Sequence, residues 1–240
     1  MKIASYQAPL LMGDPKTAIG LIRAQIDICE SEDVDILCCP EAILGGLADY
    51  AADPDEIAVD VANGDLAALL KPLASKSVTT IIGFTEAANG RLYNSSAVFD
   101  RGVIAGVYRK LHPAIRRSVY TAGDKLPVFT LDGFTFGILI CNDSNFPELA
   151  ANLASLGAVA IFIPTNSALP HDRKEVTADA RRIDIAIATD NNIWVIRSDV
   201  AGRTDSLVAY GSSCIAGPGG NVLKSAKRSC ESLIIADIRS

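Results

Sequence analysis

The sequence predicts a single α/β domain over residues 1–240, and three observations lead to that fold class. The chain has 240 residues, of which 49% are hydrophobic and 21% charged, enough apolar side chain for one buried core. Apolar runs of strand length alternate with amphipathic segments of helix length, which is typical of layered α/β proteins. The sequence contains no linker, repeat or low-complexity segment, so we expect one domain.

The chain is predicted to begin with a strand, a helix and a second strand. Residues 2–8 form a short apolar run. Residues 14–30 are predicted to form a helix with Asp14 as the N-cap, Pro15 in the first turn and an apolar stripe of Ala18, Leu21, Ile22, Ile26 and Ile28. Residues 34–39 are mostly apolar on both faces and are stopped by a proline, as expected for an interior strand.

The later elements continue this alternation. A turn at residues 100–102 joins two predicted strands, and Pro147 and Glu148 favour the start of a helix. The last third is predicted to consist mainly of strands separated by glycine-rich turns such as 218–221. The remaining predicted helices are 65–76, 146–156 and 174–190, and the strands are 78–84, 92–99, 103–108, 134–140, 158–163, 193–197 and 233–238.

Charge and cysteine usage indicate a cytoplasmic protein with a small-molecule partner. The net charge is −6 and the basic residues are scattered, which argues against nucleic acid or a membrane surface as a partner. The sequence contains no apolar run of signal-peptide or transmembrane length. The six cysteines are therefore expected to be reduced thiols.

Three potentially reactive side chains directly follow predicted buried strands: Glu41, Lys110 and Cys141. Catalytic groups commonly gather on loops at the carboxyl ends of strands, so we expect the three to share one site. A thiol that attacks an amide carbonyl needs a base, a cation or N–H donors for the oxyanion, and an acid for the leaving amine. Each residue alone is more often a core cysteine or a solvated charge, but the combination predicts a cysteine-dependent amide hydrolase.

Three segments of the sequence stand out as motifs: Pro40-Glu41, Tyr108-Arg109-Lys110-Leu111-His112-Pro113 and Gly137-Ile138-Leu139-Ile140-Cys141-Asn142-Asp143-Ser144-Asn145-Phe146-Pro147-Glu148. They resemble the three signature blocks of the carbon-nitrogen hydrolases of the nitrilase superfamily, in the order in which that family has them. Further similarity appears at residues 157–158 together with 163–164, at 180–182 and at 210–220, so the resemblance runs nearly end to end.

The resemblance implies an α-β-β-α sandwich of nitrilase type that hydrolyses a small amide through a covalent thioester, without a metal or other cofactor. It also implies a homodimer or higher homo-oligomer. By position, Cys141 resembles the nucleophile, Glu41 the general base and acid, and Lys110 the oxyanion stabiliser together with the backbone N–H of Asn142. We expect Glu41 and Lys110 to favour the thiolate of Cys141 and so to make this cysteine selectively reactive.

The residues after Cys141 bear on the substrate. Nitrile-cleaving relatives commonly have Trp-Glu there, whereas Asn142-Asp143 resembles amidases and N-carbamoyl hydrolases. An amide substrate is therefore predicted, with N-carbamoyl amines or amino acids as the alternative. Loops after strands are predicted to contact the substrate through Thr165, Asn166 and Tyr50, although each of these residues could equally belong to a simple polar turn.

Arg116 stands where many relatives carry a second glutamate, four residues before Tyr120. The cation could depress the pKa of Lys110, turn outward without effect, or bind an acidic substrate. Asp143 is a candidate to replace the missing carboxylate, and a structural role for Asp143 is the alternative. The departure at Arg116 keeps a low-turnover binding or regulatory relative of the same fold as a competing hypothesis.

A different cysteine chemistry would require a histidine partner. The sequence contains two histidines, His112 and His171, and neither lies in a papain or glutaminase signature. The glycine-rich motifs that bind dinucleotides or nucleoside triphosphates are also missing from the sequence. Glu41, Lys110 and Cys141 are therefore the favoured catalytic set.

Overall fold

The computed structural model of the protein describes residues 1–13, 15–114, 117–170 and 175–238, the side chains of residues 175 and 176 excepted. Four α-helices lie within these ranges: α1 Pro15–Ser31, α2 Asp65–Leu70, α3 Pro147–Ser155 and α4 Glu175–Asn191. The strands within them are β1 Lys2–Pro9, β2 Ile36–Cys38, β3 Ala58–Asp60, β4 Thr79–Ala88, β5 Arg91–Asp100, β6 Val103–Arg109, β7 Val128–Leu131, β8 Phe134–Ile138, β9 Ala160–Pro164, β10 Trp194–Ser198, β11 Val200–Arg203, β12 Val208–Tyr210, β13 Cys214–Ala216, β14 Val222–Ser225 and β15 Ser232–Asp237.

The described strands form two sheets. The first has nine strands in the order β12-β11-β1-β2-β4-β5-β6, with β15 paired to β1 and β3 to β4. The second has six strands in the order β14-β13-β10-β9-β8-β7. Strands β1, β2 and β4 are parallel neighbours, and β6 returns to the same direction after the antiparallel β5. Strands β8, β9 and β10 are also parallel, so each sheet gathers several carboxyl ends at one edge.

Apolar side chains fill the space between the two sheets and beneath the helices. Ile36 and Val98 of the first sheet pack with Phe136, Phe162 and Ile215 of the second. Helices α1 and α2 cover the outer face of the nine-stranded sheet, and α3 and α4 cover the outer face of the six-stranded sheet. This layering is the predicted α-β-β-α sandwich, so the predicted fold class is confirmed.

Helix α1 shows how the sequence specifies this packing. Ala18, Ile22, Ile26 and Cys29 are buried at helical spacing and form the stripe that faces the sheet. Ile28, which the sequence assigned to the stripe, is 45% exposed because it lies on the opposite side. The predicted N-cap Asp14 lies outside the described residues. Within the described part of the chain, no helix is long and apolar enough to cross a bilayer.

Three local predictions differ from the structure. The predicted helix 65–76 ends early: α2 stops at Leu70 and a 3₁₀ turn follows at Lys71–Leu73, because Pro72 lacks an N–H and cannot continue an α-helix. Strands β3 and β7 were not predicted, since they are short and only partly buried. The predicted strand 134–140 ends at Ile138, and a 3₁₀ helix, Cys141–Asn145, separates it from α3.

We predict that Gly83→Ala destabilises the protein. A Cβ at Gly83 would lie 2.4 Å from the backbone N of Ala42 and 2.5 Å from the carbonyl O of Pro40, so β4 could no longer approach the backbone on both sides of Glu41. The free energy of unfolding should fall by about 1–3 kcal/mol in urea titrations.

Gly20→Ala is the matched control for this prediction. Gly20 lies in α1, and an added Cβ there would have no neighbouring atom within 4 Å. This variant should be as stable as the parent or more stable by up to about 1 kcal/mol, because alanine favours the helix. A Gly83→Ala protein with parental stability would contradict the close approach of β4 to the backbone beside Glu41.

Candidate active site

Glu41 and Lys110 form a buried ion pair at the edge where β2 and β6 end. Glu41 is 1% exposed and Lys110 is 4% exposed, and Lys110 Nζ lies 2.6 Å from Glu41 Oε1. Asn94 Nδ2 donates to the same oxygen at 2.8 Å, and the backbone N–H of Asn166 donates to Oε2 at 2.8 Å. Both carboxylate oxygens are therefore bonded, as a buried charge requires.

The charge of Lys110 is stabilised by its neighbours. Burial by itself would lower the pKa of Lys110, but the Glu41 carboxylate raises this pKa above its ordinary value. The backbone of Lys110 is also fixed, since its N–H donates to Asn94 and its carbonyl accepts from Gly123, both at 2.8 Å. Lys110 therefore presents a permanent cation at a defined position.

Cys141 is the first residue of the 3₁₀ helix that follows β8. Its φ is +47°, a left-handed conformation that is uncommon for a residue other than glycine. The hydroxyl of Ser144 donates to the Cys141 carbonyl at 2.7 Å and closes this turn. Unlike most cysteines of the chain, Cys141 is partly exposed. A 3₁₀ turn that begins at Cys141 thus lies between β8 and α3.

The pKa of the Cys141 thiol is raised to about 12. Burial is the main cause and the Glu41 carboxylate adds to it, whereas the positive charges of Lys110 and Arg197 act in the opposite direction. The expectation that Glu41 and Lys110 together favour the thiolate is therefore wrong, because the charge of Glu41 opposes that of Lys110. A pKa this high favours the protonated thiol at neutral pH, so attack by the sulfur requires a base.

Asp143 holds the turn that carries Cys141. Its buried carboxylate accepts from the Tyr108 hydroxyl at 2.7 Å, from the backbone N–H of His112 at 2.8 Å and from the backbone N–H of Ile140 at 3.1 Å. These contacts favour the structural alternative for Asp143 over a substitute for the missing glutamate.

His112 belongs to the same support. Its ring stacks on Phe146 with centroids 3.6 Å apart, and its Nδ1 lies 3.3 Å from Asp143. A ring held in this way packs against the turn instead of serving as a base for the thiol. His171, the other histidine considered for Cys-His chemistry, lies outside the described residues.

A cavity of 280 Å³ brings the predicted residues together. Glu41, Lys110 and Cys141 line it, and so do Asn142, Thr165, Asn166 and Tyr50. Arg116 lies outside the described residues. A mostly apolar wall with a few convergent polar groups is typical of a small-molecule site. The apolar part of the wall consists of Leu47, Pro113, Ala114, Ala168, Leu169, Ala180 and Ile183.

Two of the predicted substrate-binding side chains, Asn142 and Thr165, form hydrogen bonds that hold the loops of the site. Asn142 Nδ2 donates to the His112 carbonyl at 3.0 Å. The Thr165 hydroxyl accepts from Arg197 Nη1 at 2.8 Å and donates to the Ile163 carbonyl at 3.1 Å. Asn142 and Thr165 therefore connect segments of the protein, and the backbone N–H of Asn142 remains the group predicted to meet an oxyanion.

Sequence reasoning missed two residues of this site. Asn94 lies inside β5 and bonds Glu41, and Arg197 lies in β10 and is 2% exposed. Both are polar residues within strands that are otherwise largely buried. A polar residue at such a position can be recognised in the sequence, and it indicates that the side chain has a hydrogen-bond partner. The sequence does not identify that partner, because the partner comes from another part of the chain.

Comparison with known proteins places the chain in a family. The carbon-nitrogen hydrolase family model matches residues 2–240. The chain is 33% identical over 233 residues to an (R)-stereoselective amidase of Pseudomonas sp, which covers 95% of this chain and 81% of that protein. It is 31% identical over 175 residues to N-carbamoylputrescine amidase of Oryza sativa subsp. japonica, which covers 65% of this chain and 58% of that protein.

A solved structure shares the fold. A mutant of the amidase from Nesterenkonia sp. AN1 superposes with a TM-score of 0.83 at 20% identity, over 99% of this chain and 90% of that one. In that structure the acetamide moiety of fluoroacetamide is covalently added at the active-site cysteine. The family model and the sequence relatives show that the chain belongs to the carbon-nitrogen hydrolase family and is a hydrolase that acts on carbon–nitrogen bonds.

We predict that native alkylation discriminates among the six cysteines. Cys141 and Cys230 are partly exposed, whereas Cys29, Cys38, Cys39 and Cys214 are buried. Iodoacetamide should therefore modify only Cys141 and Cys230, and in a Cys230→Ser protein only Cys141, as mapped by mass spectrometry.

The rate of this reaction should depend steeply on pH. Because the pKa of Cys141 is about 12, its thiolate fraction grows roughly tenfold per pH unit between about pH 7 and pH 11. The alkylation rate at Cys141 should rise accordingly. Faster modification of Cys38 or Cys214 than of Cys141 would contradict the burial pattern.

Proposed function

We propose that the protein hydrolyses a small linear amide through a thioester on Cys141, with Glu41 as general base and acid and Lys110 as oxyanion stabiliser. The observation that carries the proposal is the buried Glu41–Lys110 pair in the same cavity as the partly exposed Cys141. Both members of the pair change the pKa of the Cys141 thiol: Glu41 raises it and Lys110 lowers it. A base and a cation at one thiol are what amide hydrolysis by cysteine requires.

Acylation begins from the protonated thiol. The Glu41 carboxylate accepts the Cys141 proton while the sulfur attacks the amide carbonyl carbon and forms a carbon–sulfur bond. The carbonyl oxygen becomes an oxyanion, which the Lys110 ammonium and the backbone N–H of Asn142 stabilise. When the tetrahedral intermediate collapses, the carbon–nitrogen bond breaks and protonated Glu41 gives its proton to the departing nitrogen.

Deacylation repeats the sequence with water as the nucleophile. Glu41 accepts a proton from water, whose oxygen attacks the thioester carbonyl carbon and forms a second oxyanion at the same donors. The carbon–sulfur bond then breaks, the carboxylic acid leaves, and Glu41 returns its proton to the sulfur. The raised pKa of Cys141 favours this last step, since the sulfur regains its proton readily.

The cavity supports a small substrate with an apolar acyl group. Its 280 Å³ volume is at the lower end for ligand sites, and its wall includes Leu47, Leu169 and Ile183. The similarity to an (R)-stereoselective amidase supports an amide substrate. The homodimer or higher homo-oligomer and the single domain over residues 1–240 stay predictions.

An N-carbamoyl amine or amino acid is the second candidate substrate. The similarity to N-carbamoylputrescine amidase favours this candidate. The terminal carbamoyl group of such a substrate presents the same kind of carbonyl to Cys141, and hydrolysis would release ammonia, carbon dioxide and an amine. Carbon dioxide release therefore separates the two substrate classes.

We predict that a panel of small aliphatic amides, ω-amides and N-carbamoyl amines contains substrates that release ammonia. Cys141→Ala should abolish release, because no sulfur remains to form the thioester. Glu41→Gln should lower kcat by about 10²–10⁴-fold, because glutamine cannot accept the thiol proton. Coupled ammonia assays check both variants.

Two outcomes would count against the proposal. Ammonia release that survives in the Cys141→Ala protein would remove Cys141 from the mechanism. Labelling of Cys141 by fluoroacetamide without ammonia release from any member of the panel would favour the low-turnover binding relative over the efficient hydrolase.

A further inference from the structure

Arg197 is a buried cation that lines the same cavity as the candidate nucleophile. It lies in β10, and its Nε donates to both carboxylate oxygens of Asp184 at 3.0 and 2.9 Å. Its Nη2 donates to Asp184 Oδ1 at 2.6 Å, so the pair is bidentate. Cys214 Sγ donates to Asp184 Oδ2 at 3.2 Å from the neighbouring strand. This ion pair fixes the plane and the position of the guanidinium group.

One arm of the guanidinium reaches the turn of Cys141. Arg197 Nη2 donates to Ser144 Oγ at 3.2 Å, and that hydroxyl in turn donates to the Cys141 carbonyl at 2.7 Å. Ser144 therefore connects the guanidinium group to Cys141, whose φ is +47°. A strained backbone conformation persists only where the surrounding contacts hold it in place, and these two hydrogen bonds are among those contacts.

The other arm reaches the loop that holds Glu41. Arg197 Nη1 donates to Thr165 Oγ1 at 2.8 Å. The carbonyl of Thr165 accepts from the Glu41 N–H at 3.3 Å, and the next residue, Asn166, donates its N–H to Glu41 Oε2 at 2.8 Å. The guanidinium group thus bonds Ser144, which holds the turn of Cys141, and Thr165, which holds the loop of Glu41.

The charges around Cys141 come from several elements. Glu41 follows β2, Lys110 follows β6, and Asp199 lies between β10 and β11, while Arg197 approaches from β10. Asp143 lies two residues further along the same turn. Among these groups, Lys110 and Arg197 lower the pKa of the Cys141 thiol, whereas Glu41 and Asp199 raise it. Lys110 is paired with Glu41, which itself raises the pKa of the thiol, whereas Arg197 is paired with Asp184.

We propose that Arg197 is a positioning residue that couples the turn of Cys141 to the loop of Glu41. This inference rests on the proposed function and extends it to a residue outside the predicted set. Arginine suits this role because its planar fork reaches a carboxylate and two hydroxyls at once, which a lysine ammonium on a flexible stem cannot do.

Two kinds of variant test the proposal. Arg197→Gln combined with Asp184→Asn removes both buried charges together and leaves no uncompensated carboxylate, and Arg197→Lys keeps the charge but loses the fork. Thr165→Val and Ser144→Ala each cut one arm, and Thr165→Ser keeps the hydroxyl as the matched control. All are built in the Cys230→Ser background, so that Cys141 is the single partly exposed cysteine.

The expected result has two parts. In the double variant, kcat should fall by about tenfold to hundredfold with KM changed by less than about threefold, because the reacting groups are displaced while the cavity remains. The iodoacetamide rate at Cys141 at about pH 9 should fall about threefold or more, because loss of the cation raises the pKa of the thiol. Arg197→Lys should recover the alkylation rate but not kcat.

The single-arm variants give an independent measure, including the case in which the double variant fails to fold. Thr165→Val and Ser144→Ala should each lower kcat, and Thr165→Ser should recover it. Parental kcat and alkylation profiles in Thr165→Val, Ser144→Ala and the folded double variant would overturn the proposal. If the parent protein neither reacts at Cys141 nor releases ammonia, the proposed function fails instead, so the two failures are distinguishable.

Discussion

Face-to-face packing of the two sheets is the constraint on which the site depends. Side chains such as Ile36 and Phe136 lock the sheets together from their inner faces. Strands that run in the same direction within each sheet then bring their carboxyl ends to a common region. Glu41, Lys110 and Cys141 follow β2, β6 and β8, which are far apart in sequence. The apolar core therefore positions the polar residues, and the loops need only carry them a short distance beyond the strands.

Buried charge is the second constraint, because each ion inside this protein requires partners. Glu41 is bonded by Lys110, Asn94 and the backbone of Asn166, and Arg197 by Asp184. Removing one member of such a pair leaves an uncompensated buried charge, at a cost on the order of 3–5 kcal/mol. The network is therefore rigid, and rigidity is what preorganised catalysis requires. The same burial raises the pKa of the thiol, so the proposed reaction depends on proton transfer to Glu41 rather than on a standing thiolate.

The sequence predicted elements well where apolar periodicity is strong and poorly where it is weak. The stripe of α1 and the interior strand β2 follow directly from spacing and burial. The strand β3 has three residues and only one of them is buried, so it leaves almost no periodic signal. Helix α2 stopped short of the prediction because one proline outweighs the helical pattern on both sides of it.

The sequence by itself determined which chemistry is available: a glutamate, a lysine and a cysteine, each at the end of a buried strand, in signature segments of one family. Only the tertiary structure decided how these groups act on one another. The pairing of Glu41 with Asn94 and the two arms of Arg197 join residues from different strands, and hydrophobic periodicity carries no information about such contacts. The direction of the Cys141 pKa shift likewise depends on burial and on charges from several elements at once. The sequence determines which side chains are present, but the distances between them are set only when the chain folds.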